Sequence, residues 1–133
     1  MIVVDTNIIS YLYLPTIYSE RANLIFLNDL NWCAPKIWRS EFRNVLAQYL
    51  RKGLMNINEA FIFQEESEKM MEGNEFHITS RHVLTLVNES NCSAYDCEFV
   101  ALAQLLNVKL ITEDKKIISE FKDIAINLDT FLS

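Results

Sequence analysis

Ile2-Val3-Val4-Asp5-Thr6-Asn7 decides how the rest of the chain is read. Ile2-Val3-Val4 is a short, unbroken apolar run of β-branched residues, the pattern of a central parallel strand buried on both faces. Further strands are expected at Trp32-Cys33-Ala34, at Glu75 to Ile78, at Val108 to Thr112 and at Ile124 to Leu128. Helical spacing separates them. Tyr18 to Leu30 places Ala22, Ile25, Phe26 and Leu30 on one face. Lys36 to Arg51 is opened by Pro35, a residue suited to a first helical turn, and closes near Gly53. Asn58 to Met71 follows a cap at Asn56 or Asn58. Ser80 to Glu89, Ala94 to Leu106 (capped by Ser93) and a short helix from Asp114 to Phe121 complete the set. Strands alternating with helices predict an α/β domain with a mainly parallel sheet. Such sheets bind ligands beyond the carboxyl ends of their strands, where the strand order reverses.

Composition bounds the reading. The 133 residues make one domain, 1–133, and half of them are hydrophobic, enough for a packed core. No uncharged apolar run reaches the roughly 18 residues of a membrane span. The N-terminus lacks the basic start and long apolar stretch of a secretory signal, so a cytoplasmic protein is expected. Cys33, Cys92 and Cys97 are odd in number and lack zinc-site spacing, which makes them buried, inert thiols. His77 and His82 read as structural or surface residues. The net charge of −6 argues against gripping nucleic acid by bulk electrostatics. It does not exclude a nuclease, because bound cations reverse the local sign of an acid cluster.

Four acids fit a purely structural role poorly. Asp5 follows the first strand, at the carboxyl end of the sheet, although it also suits a helix N-cap. Asp114 lies just past the Val108–Thr112 strand; it too suits a cap, and Glu113 beside it is a rival. On a helix over Lys36 to Arg51, residues Trp38, Phe42, Val45, Leu46 and Tyr49 form an apolar stripe. Glu41 sits at its edge, one turn from both Ile37 and Val45, where an ionised carboxylate is costly unless paired or bound to metal. Asp96 projects between Phe99 and Val100 on the inner face of its helix. An acid in that first turn also favours the helix dipole. Glu98 falls on the far side and reads as a solvated acid. Four carboxylates brought together repel and raise one another's pKa. Hard divalent cations with oxygen ligands relieve this, so Mg²⁺ or Mn²⁺ fits and zinc fits poorly.

At these residues the chain resembles the PIN-domain family and, within it, the VapC-like toxins of toxin–antitoxin pairs. The resemblance rests on Val3-Val4-Asp5-Thr6-Asn7, on Ser40-Glu41-Phe42 with Asn44-Val45-Leu46, on Ser93-Ala94-Tyr95-Asp96, on Ala101-Leu102-Ala103 and on Thr112-Glu113-Asp114. These blocks run in the family's order over nearly the whole chain; residues 54–92 carry none of it. It implies a three-layer α/β/α sandwich around a mainly parallel sheet of about five strands. By that resemblance Asp5, Glu41 and Asp96 are the core metal ligands, Asp114 is the more variable fourth acid, and Asn7 and Thr112 support the site. It further implies Mg²⁺- or Mn²⁺-dependent cleavage of RNA, a homodimer and a cognate antitoxin covering the site. Relatives often carry a further acid near the fourth position, where this chain has Lys115 and Lys116.

The expected chemistry is hydrolysis of an RNA phosphodiester. Arg39 and Arg43, one turn apart on the helix of Glu41, together with Arg51, Lys52 and Lys115, are candidate contacts to phosphate or to an acidic partner; a solvated face is the alternative. Other readings are an RNA- or antitoxin-binding module with little catalysis, and a housekeeping RNA-processing nuclease. A phosphatase of the haloacid-dehalogenase type is disfavoured, because Asn7 stands where a second Asp is required. Tyr11, Leu12, Tyr13, Leu14 and Ile17 are either core or a patch for a second chain.

Overall fold

A computed structural model describes all of residues 1–133. The order is β1 (Ile2–Val4), α1 (Thr6–Tyr13), α2 (Ser19–Asn28), β2 (Trp32–Pro35), α3 (Trp38–Arg51), α4 (Ile57–Met70), β3 (Glu75–Phe76), α5 (Ser80–Asn88), α6 (Ala94–Leu106), β4 (Leu110–Ile111), α7 (Lys115–Glu120), β5 (Ala125–Ile126) and α8 (Leu128–Leu132). The five strands form one sheet in the order β3-β2-β1-β4-β5, and every pairing is parallel. Right-handed crossovers carry α1 to α4 over one face, as the chain moves from β1 to β3. They carry α5 to α7 over the other, as it returns through β4 to β5. The chain thus reverses direction across the sheet at β1 and β4, and that is where a parallel sheet opens a crevice.

Burial follows the reading of the first strand. Ile2, Val3 and Val4 are all buried, as are Trp32, Cys33 and Ala34 beside them. Helix α6 crosses this centre and buries Phe99, Val100, Ala101, Leu102 and Ala103 against β1, β2 and β4. These residues belong to one hydrophobic cluster that unites both faces of the sheet. The three cysteines are buried and unpaired, and burial pushes each thiol up, which fits inert groups.

Several boundaries differ from expectation. Pro35 is the last residue of β2, not the first turn of a helix, and α3 starts at Trp38. Pro35 closes β2, where its missing N–H faces β1 at the last position of that ladder, so at most one terminal bond, to Val4 O, is forfeited. The flanking amides of Ala34 and Lys36 bond to β3 instead, at Asn74 O and Phe76 O. Thr6–Tyr13 forms a helix that the sequence did not delimit. Its Tyr11, Leu12 and Tyr13 pack on the core, Leu14 is buried, and only Ile17 of that group stands in solvent. The last strand ends at Ile126, because the Asn127 side chain caps α8 through Thr130 N at 2.8 Å.

Candidate active site

The sheet register assembles the site. Val4 pairs with Ile111, and Asp5 N donates to Ile111 O at 3.0 Å, so Asp5 stands beside Thr112 at the ends of β1 and β4. Thr112 Oγ1 donates to Asp5 Oδ2 at 2.7 Å, and Thr6 N donates to the other carboxylate oxygen at 2.8 Å. The same Thr112 oxygen accepts Asp114 N at 3.0 Å, tying the fourth acid to the first. Asp114 also caps α7, its Oδ1 accepting Lys116 N and Ile117 N. Glu113, the rival acid, turns away and accepts Leu128 N at 2.9 Å. From the α1 side, Thr6 Oγ1 donates to Glu41 Oε1 at 2.6 Å. Asp96 enters from the first turn of α6, where Ser93 Oγ accepts its amide. Asp5, Asp96 and Asp114 therefore each have a local structural reason to be where they are, yet the charges of all four acids meet at one end of the sheet.

Electrostatics records that convergence. Burial pushes the Asp5 carboxyl above the ordinary carboxylate range; the bonds from Thr112 and Thr6 oppose this, and the charges of Asp96 and Asp114 add to it. Glu41 is raised first by burial, with Thr6 opposing and with Asp5, Asp96 and Glu98 adding repulsion. Asp96 is raised by burial, lowered by Ser93, raised by Asp114 and lowered by Lys116. None of the four acids forms an ion pair. No three side chains are gathered into a coordination sphere as they stand. The donor chemistry nonetheless fits a hard divalent cation: three half-buried carboxylates and the exposed Asp114, with hydroxyls orienting Asp5 and Glu41 and no ion pair to offset their charge.

The remaining sequence candidates divide. Thr112 supports Asp5 directly, whereas the Asn7 side chain is exposed and bonds to none of the four acids. Arg39 is not a free contact. Its guanidinium is spent on Glu75 and Glu68, which tie α3 to β3 and α4. Arg43, Arg51, Lys52 and Lys115 are exposed. Lys116, rather than Lys115, is the cation whose charge reaches Asp96. Glu98 is half-buried rather than on a solvated face, because α5 packs along α6 and covers that side. It lines a cavity of about 310 Å³ with Ile78, Ser80 and Val83. Thr6 is the one orienting residue whose target the sequence left open. A hydroxyl in the first turn after a strand-end acid signals a hydrogen-bond donor, but not that its acceptor lies 35 residues away.

Comparison with known proteins gives the same picture. The PIN domain profile matches residues 2–126. A curated protein, Ribonuclease VapC3 of Pyrobaculum aerophilum, is 27% identical over 123 residues, covering 90% of this chain and 94% of its own. Among solved structures, PAE2754 from Pyrobaculum aerophilum superposes with a TM-score of 0.77 at 16% identity, over 98% of this chain and 85% of that one. FitAcB from Neisseria gonorrhoeae gives 0.74 at 19% identity, over 96% and 98%. A toxin–antitoxin complex from Klebsiella pneumoniae gives 0.67 at 19% identity, over 96% and 98%. With the sheet order, the crevice of acids and a profile that covers all but the chain's ends, this protein belongs to the PIN domain family.

Proposed function

We propose that this protein is a divalent-metal-dependent endoribonuclease that hydrolyses RNA phosphodiester bonds, and that it is the toxin of a toxin–antitoxin pair. One observation carries the reading. A buried carboxylate, Asp5, ends the central strand amid Glu41, Asp96 and Asp114, with no cation of its own to pair with. The similarity to Ribonuclease VapC3 and to toxin–antitoxin structures supports the substrate class and the partner.

Asp5, Glu41 and Asp96 would hold Mg²⁺ or Mn²⁺, with Asp114 as the fourth ligand. When bound, such a cation makes a water nucleophilic at neutral pH and offsets charge on the reacting phosphate. The chain's own residues do the positioning. Thr112 fixes one oxygen of Asp5, and Thr6 fixes one oxygen of Glu41. Asp114, the most exposed of the four, would orient the attacking water. A homodimer and an antitoxin that covers this crevice complete the proposal. No helix of the chain is long and apolar enough to cross a membrane.

The test is cleavage of a mixed RNA pool by purified protein with Mg²⁺, with Mn²⁺ and with EDTA, beside Asp96→Asn. Metal-dependent cutting, reduced by more than about 100-fold in the variant, is expected, since even residues behind a ligand are worth 10–100-fold. Equal cutting by Asp96→Asn and wild type would sink the assignment.

A further inference from the structure

Beside the crevice of acids lies a second cavity that the chemistry above does not use. It measures about 300 Å³ and is lined by Ile37, Ser40, Glu41, Asn44 and Tyr95. Asn44 follows Glu41 by three residues, so both project from the same face of α3. Tyr95 precedes Asp96 in the first turn of α6. The cavity therefore shares one wall, Glu41, with the site that would cut the strand, and its far wall is the neighbour of a second ligand.

Tyr95 stands apart from every other tyrosine here. Tyr11, Tyr13, Tyr18 and Tyr49 all pack against the core, and Tyr11 stacks on Tyr18 at 5.0 Å. Tyr95 alone is exposed, at 59%, with its ring against the cavity. Neither its hydroxyl nor the Asn44 carboxamide nor the Ser40 hydroxyl is used in a hydrogen bond within the chain. No lysine or arginine lines the cavity, and the chain's net charge of −6 offers no bulk attraction, so nothing there favours a phosphate group. An uncharged, flat, polar-edged group suits the cavity: a ring to lie on Tyr95 and an edge to meet a carboxamide. Single-stranded RNA offers such a group once per nucleotide, and its unpaired bases stack on aromatic side chains.

We propose that this cavity binds an unpaired nucleobase of single-stranded RNA next to the scissile phosphate, stacked on Tyr95 and hydrogen-bonded at its edge by Asn44. The proposal rests on the ribonuclease reading. Asn44 presents one donor and one acceptor side by side, the pattern that pairs with the N6 and N7 groups of adenine. Stacking makes the subsite hold any base, and Asn44 makes it prefer one. Because a neutral base supplies the contact, its contribution to affinity is insensitive to salt, unlike phosphate contacts.

The experiment uses single-stranded oligoribonucleotides with 2-aminopurine stepped through successive positions. They are titrated onto wild type, Tyr95→Phe, Tyr95→Leu and Asn44→Ala, with Ca²⁺ replacing Mg²⁺ so that binding is read without turnover. One position is quenched on wild type and on Tyr95→Phe. That quench is lost on Tyr95→Leu, whose affinity falls about ten-fold, as expected for one lost stacking contact. With Mg²⁺, KM rises in Tyr95→Leu more than kcat falls, and Asn44→Ala evens out base preference at the quenched position. Wild-type affinity and quench in Tyr95→Leu would overturn the proposal and assign Tyr95 to a protein contact; so would RNA binding with no quenched position, or no RNA binding. Position-specific quenching without cutting in Mg²⁺ would sink the ribonuclease reading and leave the subsite. Cutting indifferent to Tyr95 would do the reverse.

Discussion

Asp5 and Glu75 are both carboxylates at the parallel sheet, and the chain treats them in opposite ways. Glu75, on the edge strand β3, receives Arg39 Nε and Nη2 at 2.6 Å each and Trp38 Nε1 at 2.9 Å. Arg39 also reaches Glu68, which Gln64 holds from the next turn of α4. The Arg39 guanidinium therefore holds the Glu75 carboxyl below the usual carboxylate range. Asp5, just past the end of the central strand, has hydroxyl and amide donors but no cation, and burial holds it above that range. An acid that comes with its own cation is joinery; it binds α3, β3 and α4 together. An acid cluster without one keeps its mutual repulsion, which is why a cation is proposed for it. The difference separates paired from unpaired carboxylates more sharply than position in the sequence does.

The comparison can be broken first at the hydroxyl that orients Asp5. Thr112→Val removes the bond to Asp5 while nearly keeping the side chain's shape. A loss of RNA cleavage of about 10–100-fold is expected, the usual cost of a residue behind a metal ligand. Restoration by Thr112→Ser, read in the same assay, separates orientation from packing. Next in size is Arg39→Ala at the paired end. The Arg39 side chain is 38% exposed and that of Glu75 only 9%, so the loss falls between the surface and buried limits. About 2 kcal/mol is expected, a fall of several degrees in Tm, with the cleavage rate per folded molecule unchanged. Loss of activity with no loss of stability would return Arg39 to the list of substrate contacts.

The smallest effect has an unusual sign. Because folding raises the Asp5 pKa, the folded state holds the Asp5 proton more tightly than the unfolded chain does. Stability is therefore lost as pH rises through the raised value. Asp5→Asn escapes that loss. Without metal, the variant is expected to melt at a higher temperature than wild type at neutral pH, and the gap should close below the ordinary carboxyl value of 3.8. Melting curves across pH in EDTA check this. A variant less stable than wild type at pH 7 would mean that Asp5 serves the fold rather than a ligand.

Much of this was legible in the sequence, for identifiable reasons. Ile2-Val3-Val4 announced a doubly buried strand because a short, unbroken run of β-branched residues favours a strand over a helix and leaves no polar face. Glu41 and Asp96 stood out because helical periodicity put them on apolar faces. What escaped were facts fixed by tertiary partners. Pro35 looked like a helix opener because its neighbours in β1 and β3 are far away in sequence. Glu98 looked solvated because only the packing of α5 along α6 covers it. Arg39 looked free because Glu75 lies 36 residues on. The α1 helix was obscured by its aromatic and β-branched residues, weak helix formers that are helical here because they pack. In each case local pattern fixed the element or residue type, and long-range contact decided its role.

The central claim is that the acids at the ends of β1 and β4 form a site completed by a divalent cation. Calorimetric titration of Mn²⁺ into the wild-type protein and into Asp96→Asn, repeated in buffers of different ionisation enthalpy, tests it most directly. The account predicts saturable binding to wild type and its loss in the variant, with proton release that grows as pH is lowered toward the carboxylate range, since raised carboxyls must ionise to bind. No binding to the folded wild-type protein, or equal binding by Asp96→Asn, would contradict it.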